Sequence, residues 1–131
     1  MLRPDDELPI AALASGSGHG AVGVIRVSGV NSWSVVKPSL GNIPELEERL
    51  TSLRTFKDAK TGEAIDDLVV VFFKGPRSFT GQDTIELYCH GGPYIIQRIL
   101  ETLYAQGARP AAPGEFTKRA LLNGKLDLCL L

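Results

Sequence analysis

No apolar run in this 131-residue chain approaches the roughly 18 residues of a membrane-spanning helix, so no helical anchor is expected within it. Cysteine is scarce. Cys89 and Cys129 lie far apart without CxxC spacing, which favours free thiols in a reducing compartment over a disulfide. Histidine is equally scarce, and His19 and His90 are too few and too separated to suggest a metal centre. Positive charge is not in surplus: 14 Lys and Arg against 15 Asp and Glu give −1, which argues against tight nucleic-acid binding by this chain alone. Lys118-Arg119 with Lys125 is a local basic cluster. The N-terminus, with Asp5, Asp6 and Glu7, is too acidic for a signal or transit peptide, so a cytoplasmic location is expected. A GxxxxGK[ST] phosphate loop is missing too, because Gly124-Lys125 is preceded by Arg119 and followed by Leu126.

What is present is ordinary for one globular domain over residues 1–131. Hydrophobic residues make up 44% and charged residues 22%, enough for a real core. Patterning predicts strands at 9–14, 21–28, 53–57, 68–74 and 84–89, and a short return strand at 108–112. The 21–28 strand reads as buried on both faces. Lys60-Thr61-Gly62-Glu63 reads as a hairpin turn and residues 75–81 as a loop. A short helix is expected within 30–40, stopped by Pro38, and one helical turn within 44–50. The clearest helix is 93–106, with Ile96, Ile99, Leu100 and Leu103 on one stripe, Pro93 at its start and Gly107 at its stop. Residues 115–122 read as another helix, with Phe116, Ala120 and Leu121 on one face and Asn123-Gly124 ending it. Residues 125–131 begin a further segment, in which Lys125 and Asp127 share a side if it is extended. Strands in hairpins with helices between them predict a single α+β domain with a mixed or antiparallel sheet.

Several residues carry chemistry. Gly18-His19-Gly20-Ala21-Val22-Gly23 spells GxGxxG, but a strand follows where a nucleotide fingerprint needs a helix, so a glycine-rich hairpin loop fits better. Arg26 interrupts an apolar strand. Either its stem lies on the surface or its guanidinium faces a cleft, where its fork of donors suits a carboxylate or carbonyl. Glu86 alternates with Ile85 and Leu87. It is either solvent-facing or a cleft acceptor for the paired N–H groups of a pterin or purine edge, at about 1.5–3 kcal/mol per charge-assisted bond. His90-Gly91-Gly92-Pro93 joins a strand to the clearest helix and reads as a structural turn or as a ligand loop presenting free N–H groups. His90 could act as a catalytic base, but the sequence identifies no Ser, Cys or Asp partner near it.

Three ordered blocks resemble one family. Residues 20–29, Gly75-Pro76-Arg77-Ser78-Phe79-Thr80-Gly81-Gln82-Asp83 with His90-Gly91-Gly92-Pro93 after it, and residues 113–128 are similar to the N-terminal domain of the tRNA-modification GTPases called MnmE or TrmE. The likeness runs from about Ile10 to Leu128. It implies a fold akin to the tetrahydrofolate-binding domain of aminomethyltransferases, and homodimerisation through this domain. It also implies a bound one-carbon folate, 5-formyltetrahydrofolate, with folate contacts on Arg26, Glu86 and Lys125. In such a site Glu86 would accept from the pterin edge. Arg26 and Lys125 would complement carbonyls or tail carboxylates, and Gly91 and Gly92 would admit a ligand close to the backbone. Full-length members work with a flavoprotein, MnmG or GidA, to place an aminomethyl-type group on the wobble uridine of certain tRNAs.

The chain also departs from that family. Gly16, Ser17 and His19 stand where prolines and an Arg are frequent, and Gln82 stands where Glu is frequent, with no role assigned to it. After Leu128 the family continues into a helical domain and an embedded GTPase, whereas this sequence ends Cys129-Leu130-Leu131. The GTP, magnesium and potassium sites belong to that GTPase part, so this chain by itself is not expected to hydrolyse GTP. Two other functions stand beside the folate module: a self-contained folate-dependent one-carbon transferase, and a structural dimerisation domain without ligand.

Overall fold

The computed structural model describes residues 4–15 and 22–125. Residues 16–21, which carry the first four positions of the GxGxxG spelling, and the segment beyond Lys125 with Asp127 and Cys129, lie outside the described residues. Six strands form one mixed sheet: β1 (Ile10–Ser15), β2 (Val22–Ser28), β3 (Ser52–Lys57), β4 (Ala64–Phe73), β5 (Thr84–His90) and β6 (Arg109–Pro110). Their order across the sheet is β3-β4-β5-β2-β1-β6. The helices are α1 (Ser32–Val36), α2 (Pro93–Ala105) and α3 (Glu115–Leu122). The α+β expectation therefore holds.

Two antiparallel blocks build the sheet, β1 with β2 and β3 with β4 and β5. The β2–β5 pairing fuses them, with Arg26 opposite Glu86 and Val24 opposite Tyr88. Alternation sends Ile25, Val27, Val70, Phe72, Ile85 and Leu87 to one face, where they are buried and form a core with Val36, Ile96, Ile99 and Leu103 of the helices. Burying these branched and aromatic side chains is the main source of stability, at about 1.5–3 kcal/mol each relative to exposure.

Some expectations change. β2 is fully buried on one face, which α1 and α2 cover; on the other, Val22 is exposed, Val24 and Arg26 are half-buried and Ser28 alone is buried. The short helix ends at Val36, two residues before Pro38, as expected, and Pro38 itself lies inside a following 3-10 turn, Lys37–Leu40, near whose start a missing N–H costs nothing. Residues 44–50 form no helical turn, because the Arg49 N–H is spent on the Phe72 carbonyl at 2.8 Å. The return strand contracts to Arg109–Pro110 and runs parallel to β1. α3 buries Glu115, Arg119 and Ala120, while Phe116 and Leu121 are only half-buried. The reason is a polar cluster at its inward face. Edge strand β3, the 60–63 turn, β5 and α2 are as expected, and β4 begins earlier, at Ala64.

Candidate functional site

Arg26 and Glu86 lie on the sheet face away from the core. Both Nε and Nη2 of Arg26 reach Oε2 of Glu86 at 3.0 Å. The Tyr88 hydroxyl donates to the other oxygen, Oε1, at 2.6 Å. That bond, with burial, pushes the Tyr88 phenol up to about 12. The ion pair is only slightly exposed, 22% and 13%, so it is weakly screened. Cross-strand opposition explains the pairing, since side chains opposite each other on adjacent strands share one face.

Two rings frame the guanidinium. Phe79 lies 5.1 Å and Phe116 5.2 Å from the Arg26 carbon, both within cation–π range. Phe79 comes from the β4–β5 loop and Phe116 from the first turn of α3. Hydroxyls hold the loop: Ser28 Oγ lies 2.6 Å from Thr80 Oγ1 and 2.8 Å from Thr84 Oγ1. The far end of α3 holds it as well, because the Asn123 amide donates to the Thr80 carbonyl at 3.0 Å. Gly81 makes that approach feasible. Its φ is +82°, and a Cβ there would lie 2.7 Å from Asn123 Cβ and 3.4 Å from Lys125 Cγ.

A buried arginine ties these parts together. Arg119 is fully buried, and its guanidinium donates to the Leu8 carbonyl at 2.7 Å, the Asp5 carbonyl at 2.9 Å and Gln82 Oε1 at 3.0 Å. It also meets Glu115 at 3.3 Å. Gln82 Nε2 donates in turn to the Asp6 carbonyl at 2.7 Å, so this residue, to which the sequence assigns no role, is a structural tie. Arg109 bonds both oxygens of Glu115, at 2.9 and 2.7 Å, and holds that carboxyl down at about 2. Burial pulls the Arg119 guanidinium below its ordinary range.

Cavities lie on either side of Phe79. One, of about 410 Å³, is lined by Ala12, Arg26, Phe79, Pro113 and Phe116 among others. The other, of about 380 Å³, is lined by Phe73, Phe79, Glu86 and Lys125 together with Arg49 and Arg77. Arg26, Glu86 and Lys125 are thus gathered around Phe79. His90, Gly91 and Gly92 line neither cavity. His90 sits at the end of β5, exposed, with Nδ1 2.6 Å from Asp66 and its backbone N–H on the same carboxylate at 2.9 Å. Cys89 is a buried free thiol, pushed up to about 11 by burial. The described residues around Arg26 and Glu86 therefore present charge, flat rings and hydrogen-bond acceptors, an arrangement suited to holding a ligand. Among the described residues no cluster of three or more His, Cys, Asp or Glu could hold a metal ion.

Residues 9–125 match the family described as GTP-binding protein TrmE N-terminus. The chain belongs to that family. It is similar to the tRNA modification GTPase MnmE of Pseudothermotoga lettingae, at 47% identity over 119 residues, which cover 91% of this chain and 26% of the relative. The tRNA modification GTPase MnmE of Halorhodospira halophila is 48% identical over 127 residues, covering 97% and 26%. That of Thermus thermophilus is 46% identical over 122 residues, covering 92% and 28%. The chain thus spans about a quarter of the length of these relatives. Arg26, Phe79, Glu86, Phe116, Arg119 and Lys125 all fall within the matched TrmE N-terminal range.

Sequence reasoning finds Arg26 and Glu86 because charges stand out in apolar strands. It misses Phe79, Phe116, Tyr88 and Arg119. Tyr88 had a signal, since it alternates with Glu86 on one strand. The others act only through loops and helix ends that meet in space.

Proposed function

We propose that this chain is the one-carbon-folate-binding and homodimerisation module of a tRNA-modifying GTPase of the MnmE kind. The observation that carries the folate reading is the Arg26–Glu86 pair held between Phe79 and Phe116 with a cavity on each side. Both volumes fall in the range of small-molecule sites. The ring faces suit a flat heterocycle, and the carboxylate suits its N–H edge. Each carboxylate oxygen accepts about two bonds, so Oε1, which takes one from Tyr88, keeps capacity for a pterin N–H. Lys125 lines the Glu86 cavity and complements carbonyls or tail carboxylates. The ligand is 5-formyltetrahydrofolate or a related one-carbon folate.

Homodimerisation has its own support. Register aligns Leu53, Val69, Tyr88 and Val24 in one row across four strands, on the face that α1 and α2 do not cover. Leu53 is 73% exposed on edge strand β3. A second copy would bury this row.

On this reading the whole protein would work in the cytoplasm with a MnmG/GidA flavoprotein on the wobble uridine of tRNA. GTP, magnesium and potassium belong to its GTPase part. No helix among the described residues is long and apolar enough to cross a membrane.

Calorimetric titration of the chain and its Lys125→Ala variant with 5-formyltetrahydrofolate tests the folate reading. Saturable binding, weakened in the variant, supports it. A folded chain that takes up no folate contradicts it.

A further inference from the structure

The cavity that holds Glu86 and Lys125 is lined on another side by Arg49 and Arg77, and no contact made by the pterin-edge reading uses these two arginines. Arg49 adopts φ +66°, a left-handed conformation that an L residue other than Gly, Asn or Asp seldom takes. Three contacts hold it there. Its N–H reaches the Phe72 carbonyl at 2.8 Å, its guanidinium lies 5.4 Å from the Phe73 ring centre, and Nη2 donates to the Arg77 carbonyl at 2.8 Å. The last contact fixes the two arginines relative to each other.

Charge is unevenly matched around this cavity. Glu86 is committed to Arg26. Glu48 is shared, 2.8 Å from the Arg77 guanidinium and 3.8 Å from that of Arg49. One carboxylate therefore serves two guanidinium groups, and Lys125 has no ion-pair partner among the described residues. Positive charge is in excess beside a site already read as binding a heterocycle with an anionic tail.

We infer that Arg49 and Arg77, with Lys125, receive the oligo-γ-glutamate tail of the folate, so that the site prefers polyglutamylated over monoglutamyl ligand. The inference rests on the folate reading above. A chain of γ-linked glutamates carries one carboxylate per added residue. Guanidinium groups bind carboxylates through paired donors, and a strained but fixed Arg49 loses little freedom on binding. An RNA backbone fits less well. The excess is confined to a cavity with Glu86 on its wall, and the chain as a whole carries −1, without the basic stripe that phosphate tracking needs.

The test compares 5-formyltetrahydrofolate with one and with five glutamates, on the 131-residue chain and on the Arg49→Gly/Arg77→Ala double variant. Glycine tolerates the positive φ and Arg77 is largely exposed, so the variant keeps the fold, which circular dichroism checks. Wild type is expected to bind the pentaglutamate about tenfold tighter, a ratio that shrinks in high salt and falls below about threefold in the variant. Equal affinities for the two ligands in wild type overturn the tail assignment and leave the folate reading standing. An undiminished preference in the folded double variant overturns the role of the two arginines. Equal affinities together with loss of single-stranded RNA binding in the variant assign the arginines to phosphate instead. Failure to bind either folate removes the underlying reading and this inference with it.

Discussion

Tyr88 donates its hydroxyl to Glu86 at 2.6 Å, from two residues further along the same strand. This contact, more than burial, pushes the phenol up to about 12. Tyr88 thus holds its proton in the folded chain at a pH where the unfolded chain has released it. Its contribution to stability is complete below pH 10, the ordinary phenol value, and is lost as pH rises through about 12. A Glu86→Ala variant should show this phenol titrating closer to 10 by phenolate absorbance. An unchanged titration would mean that burial alone sets it.

Glu115 gives the opposite dependence at acid pH. The Arg109 hydrogen bonds hold its carboxyl at about 2, against an ordinary 4.5. The folded state therefore keeps the carboxylate charged where the unfolded chain takes up a proton. Stability from this group is present above pH 4.5 and lost as pH falls through about 2. Thermal unfolding followed from pH 5.5 downward should show a steeper fall in midpoint for the wild type than for Glu115→Gln. Parallel curves would contradict the assignment.

Arg119 is the tie whose loss should cost most. Replacing it by Met leaves Glu115 short of one partner and strands the Leu8 and Asp5 carbonyls and Gln82. Breaking a buried charged cluster in this way costs about 3–5 kcal/mol, readable in urea unfolding. A loss below about 1 kcal/mol would show that water replaces the guanidinium at little cost.

Leu53 tests the dimer. A Leu53→Glu change places a charge on the exposed end of the uncovered row, where it cannot disturb the core. If a second copy covers that row, sedimentation should show a dimeric wild type and a variant shifted at least tenfold toward monomer, since a buried unpaired charge costs well over 1.4 kcal/mol. Equal association would move the interface elsewhere.

Much of this arrangement is legible in the chain. α2 is plain because Ile96, Ile99 and Leu103 repeat at helical spacing between Pro93 and Gly107, and all three are buried. β5 is plain because Ile85 and Leu87 alternate with Glu86, which also marks Glu86 as unusual. The pairing of β2 with β5 is less visible, because it joins residues 60 positions apart and no turn encodes it. α3 misleads for a different reason. A helix is normally read by its apolar stripe, but this one buries Glu115 and Arg119, whose partners lie near the N-terminus and in the 74–83 loop. Charged residues in a helix read as solvent-facing until those partners are known. Residues 44–50 mislead because local helix propensity yields to a single long-range bond, Arg49 N–H to Phe72.

The most direct test of the account is the affinity of 5-formyltetrahydrofolate for Glu86→Gln beside wild type, by calorimetry. Glutamine keeps the side-chain shape: its one amide oxygen can still accept from Arg26, while an amide N–H2 replaces Oε1 and donates to the Tyr88 hydroxyl, so the charge and the second acceptor oxygen are lost together. The account predicts saturable binding by wild type and a loss of about tenfold or more in the variant, because the charged oxygen that accepts the pterin N–H is replaced by an N–H donor. Equal affinities, or no binding by a folded wild type, would contradict Glu86 as the acceptor of the pterin edge.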